Sequence, residues 1–103
     1  MEKAMVKNAA DPKQVKRAAN KEQFKKDNER SDLSKVLETP EGRRVMWRLL
    51  EHCKVFGSVW DPSSRIHYYA GKQDVGHFLM AEIVDAGEDY LLAMMKENKK
   101  GDL

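Results

Sequence analysis

Polar residues dominate the first third of the chain, and apolar residues recur at helical spacing only after it. Asp11 and Pro12 suit the N-cap and the first position of a helix. The residues beyond Pro12 favour helix, but their few apolar side chains form no continuous stripe. The pattern predicts a charged helical arm over 12–38, with its first two thirds solvated and its end docked on the rest of the molecule through Leu33, Val36 and Leu37.

A second helix is predicted at the sequence TPEGRR, where Thr39 can cap the helix and Pro40 can occupy its first position. The apolar residues that follow form a face wider than a simple surface helix needs, and this face includes Leu49. The pattern predicts the central core helix of the molecule. Gly57 is expected to end this helix in the left-handed conformation that glycine tolerates.

The second half of the chain predicts one loop and two further helices. Residues 61–64, with the sequence DPSS, are typical of a turn. The segment RIHYY after them suits either an extended stretch or the start of a helix, because no second strand is available to pair with it. An amphipathic helix is predicted from about Lys72 to Gly87. A short terminal helix follows over EDYLLAMMKE, with acidic residues at its N-terminal end.

These elements predict an all-α fold, a small helical cluster of about three body helices with a long charged N-terminal helical arm. The arm covers 12–38 and the compact helical body covers 39–98. The segments 1–11 and 99–103 are expected to be disordered. A body of this size can bury only a modest core, so association with a partner or with further copies of the chain is expected.

Charge is distributed unevenly, although the 103-residue chain carries a formal net charge of only +2. Residues 1–30 contain nine Lys or Arg against five Asp or Glu, whereas the rest of the chain contains ten against twelve. Acidic residues are interleaved among the basic ones of the arm, so a solvated mixed-charge helix explains the pattern as well as nucleic-acid binding does. The side chains that could contact nucleic-acid phosphates are Lys13, Lys16, Arg17, Lys21, Lys25 and Lys26.

Residues that could carry chemistry are few. Cys53, the single cysteine, lies on the apolar face of the second helix, where its thiolate is disfavoured. His52, His67 and His77 lack the spacing of a metal-binding module. No catalytic residue, metal site or cofactor is predicted, and the chain is not expected to be an enzyme. No apolar run approaches the roughly 18 to 20 residues of a membrane span, and no signal-peptide pattern is present.

Large aromatic residues concentrate around the predicted loop. Trp60, Tyr68 and Tyr69 are too bulky for a body of this size to enclose completely beside its other aromatic residues. Tyr and Trp are favoured at protein interfaces, because they combine a large apolar area with a polar atom. Trp47, at the boundary of the apolar face of the second helix, suits either the core or an interface. These four residues are the predicted partner-binding residues.

Two long blocks of the sequence are similar to a known family. The block TPEGRRVMWRLLEHCKVFGSVW and, after an aromatic pair, the block GKQDVGHFLMAEIVDAGEDYLLAMMKE resemble small proteins of tailed bacteriophages, chiefly short-tailed phages of the podovirus type. The resemblance covers residues 32–97. It implies a virion-associated or assembly-related protein without enzymatic activity, made in the cytoplasm of the bacterial host and located in the virion.

Two roles are compatible with this resemblance. The first is a non-enzymatic structural protein of the virion, either of the internal or ejection type or a component of the portal and tail. Such a protein would form a homo-oligomer or ring and would contact other virion proteins. The alternative is a DNA-associated or scaffolding factor in head assembly, whose basic arm contacts packaged DNA.

Overall fold

The computed structural model describes residues 11–99 and contains four α-helices within them. No strand occurs in this range. The prediction of an all-α fold with three body helices and a long N-terminal helix is confirmed. The predicted disorder covers 1–11 and 99–103. Of these residues only Asp11 and Lys99 lie within the described range, and the others lie outside it. The helices are α1 (Pro12–Leu37), α2 (Pro40–His52), α3 (Arg65–Ala86) and α4 (Glu88–Glu97).

Helix α1 begins where the sequence predicts and docks only by its C-terminal end. The side chain of Asp11 accepts a hydrogen bond from Lys13 N at 3.0 Å, which caps the helix. Residues 12–32 are exposed, whereas Leu33 is half-buried and Leu37 is fully buried. Val36, also expected at the docked end, is 43% exposed, because it lies about 100° around the helix from Leu37. Most of α1 therefore has no packing partner within the described part of the chain, as its thin apolar content predicts.

The side chains of two α1 residues form polar contacts that join its docked end to the body. Arg30 Nε donates a hydrogen bond to Asp85 Oδ2 of α3 at 3.0 Å. The hydroxyl groups of Ser34 and Tyr90 lie 2.7 Å apart, so that α1 also contacts the first turn of α4. These side chains fix the orientation of α1 beside the few apolar residues that it buries.

The junction between α1 and α2 is tight. Thr39 Oγ1 caps α2 by accepting a hydrogen bond from Gly42 N at 3.0 Å. A Cβ atom at position 42 would overlap the carbonyl group of Val36, so only glycine fits where the two helices meet. The sequence TPEG therefore specifies both the start of α2 and the close approach of α1.

Arg43 links the C-terminal ends of α1 and α4. Its guanidinium group donates hydrogen bonds to both carboxylate oxygens of Glu97, at 2.8 to 3.1 Å, and to Leu37 O at 2.9 Å. A bidentate pair of this kind is geometrically specific. The hydrogen bonds from Arg43 hold the pKa of Glu97 below its ordinary value, and those to Glu97 raise the pKa of Arg43.

The core is small and contains one or two residues from each helix. The fully buried side chains come from all four helices, and half-buried apolar residues such as Leu79 and Tyr90 pack around them. Leu49, expected in the core, is 44% exposed. The apolar face of α2 is wider than the surface that the other three helices cover, so its outer edge faces solvent. The buried core residues are Leu37, Met46, Leu50, Ile83 and Met94.

Helix α2 ends earlier than predicted. Its last residue is His52, and Lys54, with φ of 58°, takes the left-handed conformation that was expected of Gly57. Val55 N donates to Leu50 O at 3.2 Å and Lys54 N donates to Glu51 O at 3.0 Å, which is the Schellman pattern of helix termination. Val55 also packs against the core, and this apolar contact stabilises the turn without glycine.

Helix α3 starts seven residues before the predicted Lys72. The segment RIHYY forms its first turns from Arg65, so the extended alternative is wrong. Ile66 N donates to Ser63 O at 3.1 Å, which joins the helix directly to the preceding turn. Of the predicted apolar face, Ile83 is buried, but Phe78 is 65% exposed. Helix α3 is apolar on several sides, and the small body covers only one of them.

Candidate interaction surfaces

The loop before α3 is held in a fixed shape by its own side chains. Asp61 Oδ1 accepts hydrogen bonds from Ser63 N at 2.8 Å and from Ser63 Oγ at 2.5 Å. These bonds lower the pKa of Asp61 below its ordinary value, the hydroxyl contributing most. Arg65 adds an ion pair with Asp61 at 3.7 Å. The turn therefore presents the preceding residue, Trp60, in a defined position next to α3.

Trp60, Tyr68 and Tyr69 form one region, here called the aromatic surface. Trp60 and Tyr69 line the same shallow groove with Lys54. The rings of Tyr68 and Tyr69 have centroids 5.4 Å apart in an edge-to-face arrangement. Trp60 is 74% exposed and Tyr68 is 65% exposed, whereas Tyr69 is half-buried. Lys72 Nζ lies 5.9 Å from the centroid of the Tyr68 ring and adds a positive charge at the edge.

Trp47, the fourth predicted partner-binding residue, has a different environment. Its ring stacks on Phe56 with centroids 5.0 Å apart, and it packs against the buried core. It is half-buried, so its inner side belongs to the core, and its role at an interface stays a prediction. Phe56 is 51% exposed, so the apolar surface next to Trp47 extends onto this ring.

Gln73 supports the aromatic surface, a role that was not predicted from the sequence. Its amide nitrogen donates to Lys54 O at 2.6 Å and to Gly57 O at 2.9 Å, which ties α3 to the turn after α2. Nearby, a Cβ atom at Gly76 would contact Cys53 Cβ at 2.6 Å, so glycine permits the close approach of α3 to this turn. A polar residue and a glycine three positions apart inside an apolar helix were the available clue.

The basic residues predicted to contact phosphates all lie on the exposed part of α1. Four of them are spaced four residues apart and therefore share one side of the helix. Lys16 and Lys26 point to other sides, and Lys26 lies beside Phe78 near the contact between α1 and α3. Phe24 is 67% exposed and lies among the basic residues. The four residues in the row are Lys13, Arg17, Lys21 and Lys25.

The candidate residues for metal or nucleophilic chemistry are dispersed. His52 is exposed at the end of α2, and His67 and His77 are exposed on α3. Cys53 is half-buried beside α3. No group of three or more His, Cys, Asp or Glu side chains suited to a metal ion occurs among residues 11–99. The same range contains no helix that is long and apolar enough to cross a bilayer.

The structure is that of a small helical protein with an exposed aromatic surface and a projecting basic helix. The sequence of this protein matches a phage family. The family model for Bbp19-like phage proteins matches residues 33–96. Because this range covers more than half of the chain, the chain belongs to that family. Searches of curated proteins and of solved structures found no match. The predicted relationship to phage proteins is confirmed at the level of this family.

Proposed function

We propose that the protein is a non-enzymatic structural component of a tailed-phage virion, of the short-tailed type, that acts through contacts between subunits. Two positions in the virion fit this role. The protein is either an internal protein of the ejection type or a component of the portal and tail. The observation that carries the proposal is the exposure of Trp60 and Tyr68 on a turn and helix that are both rigidly held. Membership of the phage family supports the phage context.

The energetics favour burial of the aromatic surface in a contact. Burial of a large ring contributes about 25 cal/mol of favourable free energy per Å² of apolar area removed from water. Aromatic residues also often anchor interfaces. The turn at Asp61 and the hydrogen bonds of Gln73 fix the local backbone before binding. A partner would therefore lose little further entropy in ordering this surface, which favours affinity. Copies arranged as a ring would each present the same patch.

Mass spectrometry of purified particles tests the assignment to the virion. We expect the protein to be present at a fixed ratio to the major structural proteins in mature particles. Its presence in empty procapsids and its loss from mature particles would instead identify an assembly factor. Absence from both kinds of particle would contradict the proposal.

Substitutions test the aromatic surface itself. Replacement of Trp60 and Tyr68 together by Ala should reduce incorporation into particles by at least about 30-fold, since loss of an anchor residue commonly costs about 2 kcal/mol of binding energy. Far-UV circular dichroism of the isolated variant should stay helical, because both side chains are exposed. The matched control replaces Leu92 and Met95, two exposed apolar residues of α4, by Ala.

Normal incorporation of the Trp60 and Tyr68 variant would contradict the role of this surface. Equal losses in that variant and in the α4 control would show that general surface hydrophobicity, and not the aromatic surface, controls incorporation. Tyr69 is left unchanged in this design because it is half-buried, so its removal would also disturb packing.

A DNA-associated or scaffolding role in head assembly is the second candidate. The exposed basic residues of α1 favour it, because their side chains are accessible along most of the helix. The two candidates differ in salt dependence. DNA affinity that falls steeply with added salt supports the second candidate, whereas ring-shaped oligomers that form independently of DNA support the first.

A further inference from the structure

Helix α1 carries its longest basic row on the side away from the body. Lys13, Arg17, Lys21 and Lys25 follow one another at intervals of four residues, which places them in a slowly winding row about 18 Å long at 1.5 Å per residue. The docked residue Leu37 lies on roughly the opposite side of the same helix. Docking of α1 on the body therefore leaves the whole row accessible.

The acidic residues that alternate with the basic ones in the sequence lie beside this row or at its end, and none lies inside it over residues 13–25. Asp27 accepts a hydrogen bond from Gln23 at 2.9 Å and forms an ion pair with Arg30 at 3.4 Å, so its charge is already engaged. Glu22 lies along one flank of the row, whereas Glu29, four residues after Lys25, occupies the next position of the row and ends it. The mixed charge of the sequence thus becomes a one-sided basic face when the segment is helical.

The basic row includes an exposed aromatic side chain. Phe24 is 67% exposed and lines a shallow surface groove together with Lys21 and Lys25, and two carboxylates, Glu22 and Glu29, line the same groove. Lys21 and Lys25 form no ion pair with any of the described residues. Cations that flank an exposed aromatic ring are typical of surfaces that bind single-stranded nucleic acid, where the cations contact phosphates and the ring stacks on a base.

We propose that this face of α1 binds nucleic acid, with the four basic residues contacting backbone phosphates and Phe24 stacking on an unpaired base. The inference concerns a different surface from the structural role proposed above, and it deepens the DNA-associated role given as the second candidate, on which it rests. It is also independent of the family assignment, because the matched range begins at residue 33 and the basic row precedes it. An acidic protein or an anionic membrane can also bury an exposed ring, and the vesicle and peptide probes given below distinguish these ligands from nucleic acid.

Fluorescence anisotropy with the full chain tests the proposal. The probes are a labelled 20-nucleotide oligo(dT) and a 20-base-pair DNA duplex, titrated between 50 and 300 mM salt. Four phosphate contacts predict that log Kd rises with log salt concentration with a slope of about 3. The oligo(dT) should bind more tightly than the duplex. Phe24→Ala should weaken oligo(dT) binding at least fivefold and leave duplex binding nearly unchanged.

A pair of charge-matched variants locates the contact. The double substitution K21Q/K25Q should raise the Kd for oligo(dT) at least tenfold at 50 mM salt and reduce the salt slope by about 1.5. The control K16Q/K26Q removes the same charge from other sides of α1 and should change the Kd less than about threefold. Circular dichroism of each variant confirms that the helix is retained.

Three outcomes would overturn the proposal. The first is equal weakening in the two charge-matched variants, which would indicate a diffuse electrostatic attraction without a defined face. The second is no binding of either probe at 50 mM salt. The third is weak nucleic-acid binding combined with strong binding to phosphatidylglycerol vesicles or to a poly-glutamate peptide, which would assign the face to a membrane or to an acidic protein.

Discussion

Lys54 occupies a backbone position that glycine usually takes. Its φ of 58° places it in the left-handed region, which costs a non-glycine residue about 1 kcal/mol or more. Lys54→Gly should therefore raise the free energy of unfolding by about 0.5 kcal/mol, the relief of strain being partly offset by greater freedom of the unfolded chain. Thermal and urea denaturation followed by circular dichroism measure this change.

Gly57 provides the matched test of where α2 ends. No glycine among the described residues has a left-handed φ, and a Cβ atom at Gly57 would have nothing within 4 Å. Gly57→Ala should be neutral or slightly stabilising. A loss of about 1 kcal/mol or more in Gly57→Ala, together with no gain in Lys54→Gly, would restore Gly57 as the residue that ends the helix.

The ion pair between Arg43 and Glu97 should make stability depend on pH. The folded pKa of Glu97 lies below its ordinary value of 4.5, so the stability from this pair is fully present above pH 4.5 and is lost as the pH falls through the folded pKa. Below pH 4.5, the melting temperature of the native protein should therefore fall more steeply than that of Glu97→Gln. Melting curves between pH 3 and 7 test this difference.

The control for this pair is Glu51→Gln, which removes an exposed carboxylate from α2. Its melting temperature should follow that of the native protein through the same acid range. If Glu97→Gln and the native protein show parallel acid profiles, the pair does not contribute to stability in solution. Acid unfolding would then come from other carboxylates.

At the scale of elements, α1 divides into an exposed part and a docked part, and two truncations separate them. Removal of residues 1–28 keeps Arg30 and Leu37, so it should lower the free energy of unfolding by less than about 1 kcal/mol. Removal of residues 1–38 deletes a fully buried leucine, a loss that alone costs about 2 to 5 kcal/mol, and should unfold the body. Circular dichroism melts of both products measure the difference. An insoluble product from the shorter deletion would show that the exposed part of α1 is needed for folding.

Local signals predicted the side-chain caps of α1 and α2, but not the start of α3 or the end of α2. Asp11 and Thr39 cap α1 and α2 as expected, because capping depends on one side chain and its own backbone. The end of α2 depends on packing of Val55 and on the distant side chain of Gln73, which no local pattern encodes. The grouping of the aromatic surface was predictable from proximity in sequence, whereas the one-sided basic face required helical geometry.

At the scale of the whole molecule, exposed apolar side chains outnumber buried ones among the described residues. Five apolar residues are buried in the core, whereas thirteen large apolar side chains are exposed among residues 11–99. Exposed apolar area that forms contiguous patches commonly marks an interface. The sequence could predict the number of apolar residues but not which of them the small body would leave outside.

Leu49 and Leu50 test how small the core is. Leu50→Ala should lower the free energy of unfolding by about 2 to 5 kcal/mol, because the side chain is fully buried. Leu49→Ala should cost less than about 1 kcal/mol in the monomer, since that side chain is 44% exposed. Urea denaturation at low protein concentration measures both values. Equal costs for the two variants would show that the outer side of α2 is also buried in solution.

The bond between Arg43 and Glu97 also bears on the order of folding during synthesis. It joins residues 54 positions apart, so it forms only after nearly the whole body has been made. An isolated helix such as α1 can form within about a microsecond, but contacts distant in sequence must first overcome the entropy of loop closure. Before Glu97 has been added to the nascent chain, α1 can thus already be helical while the body is still unfolded. Completion of the last helix then determines when the protein becomes folded.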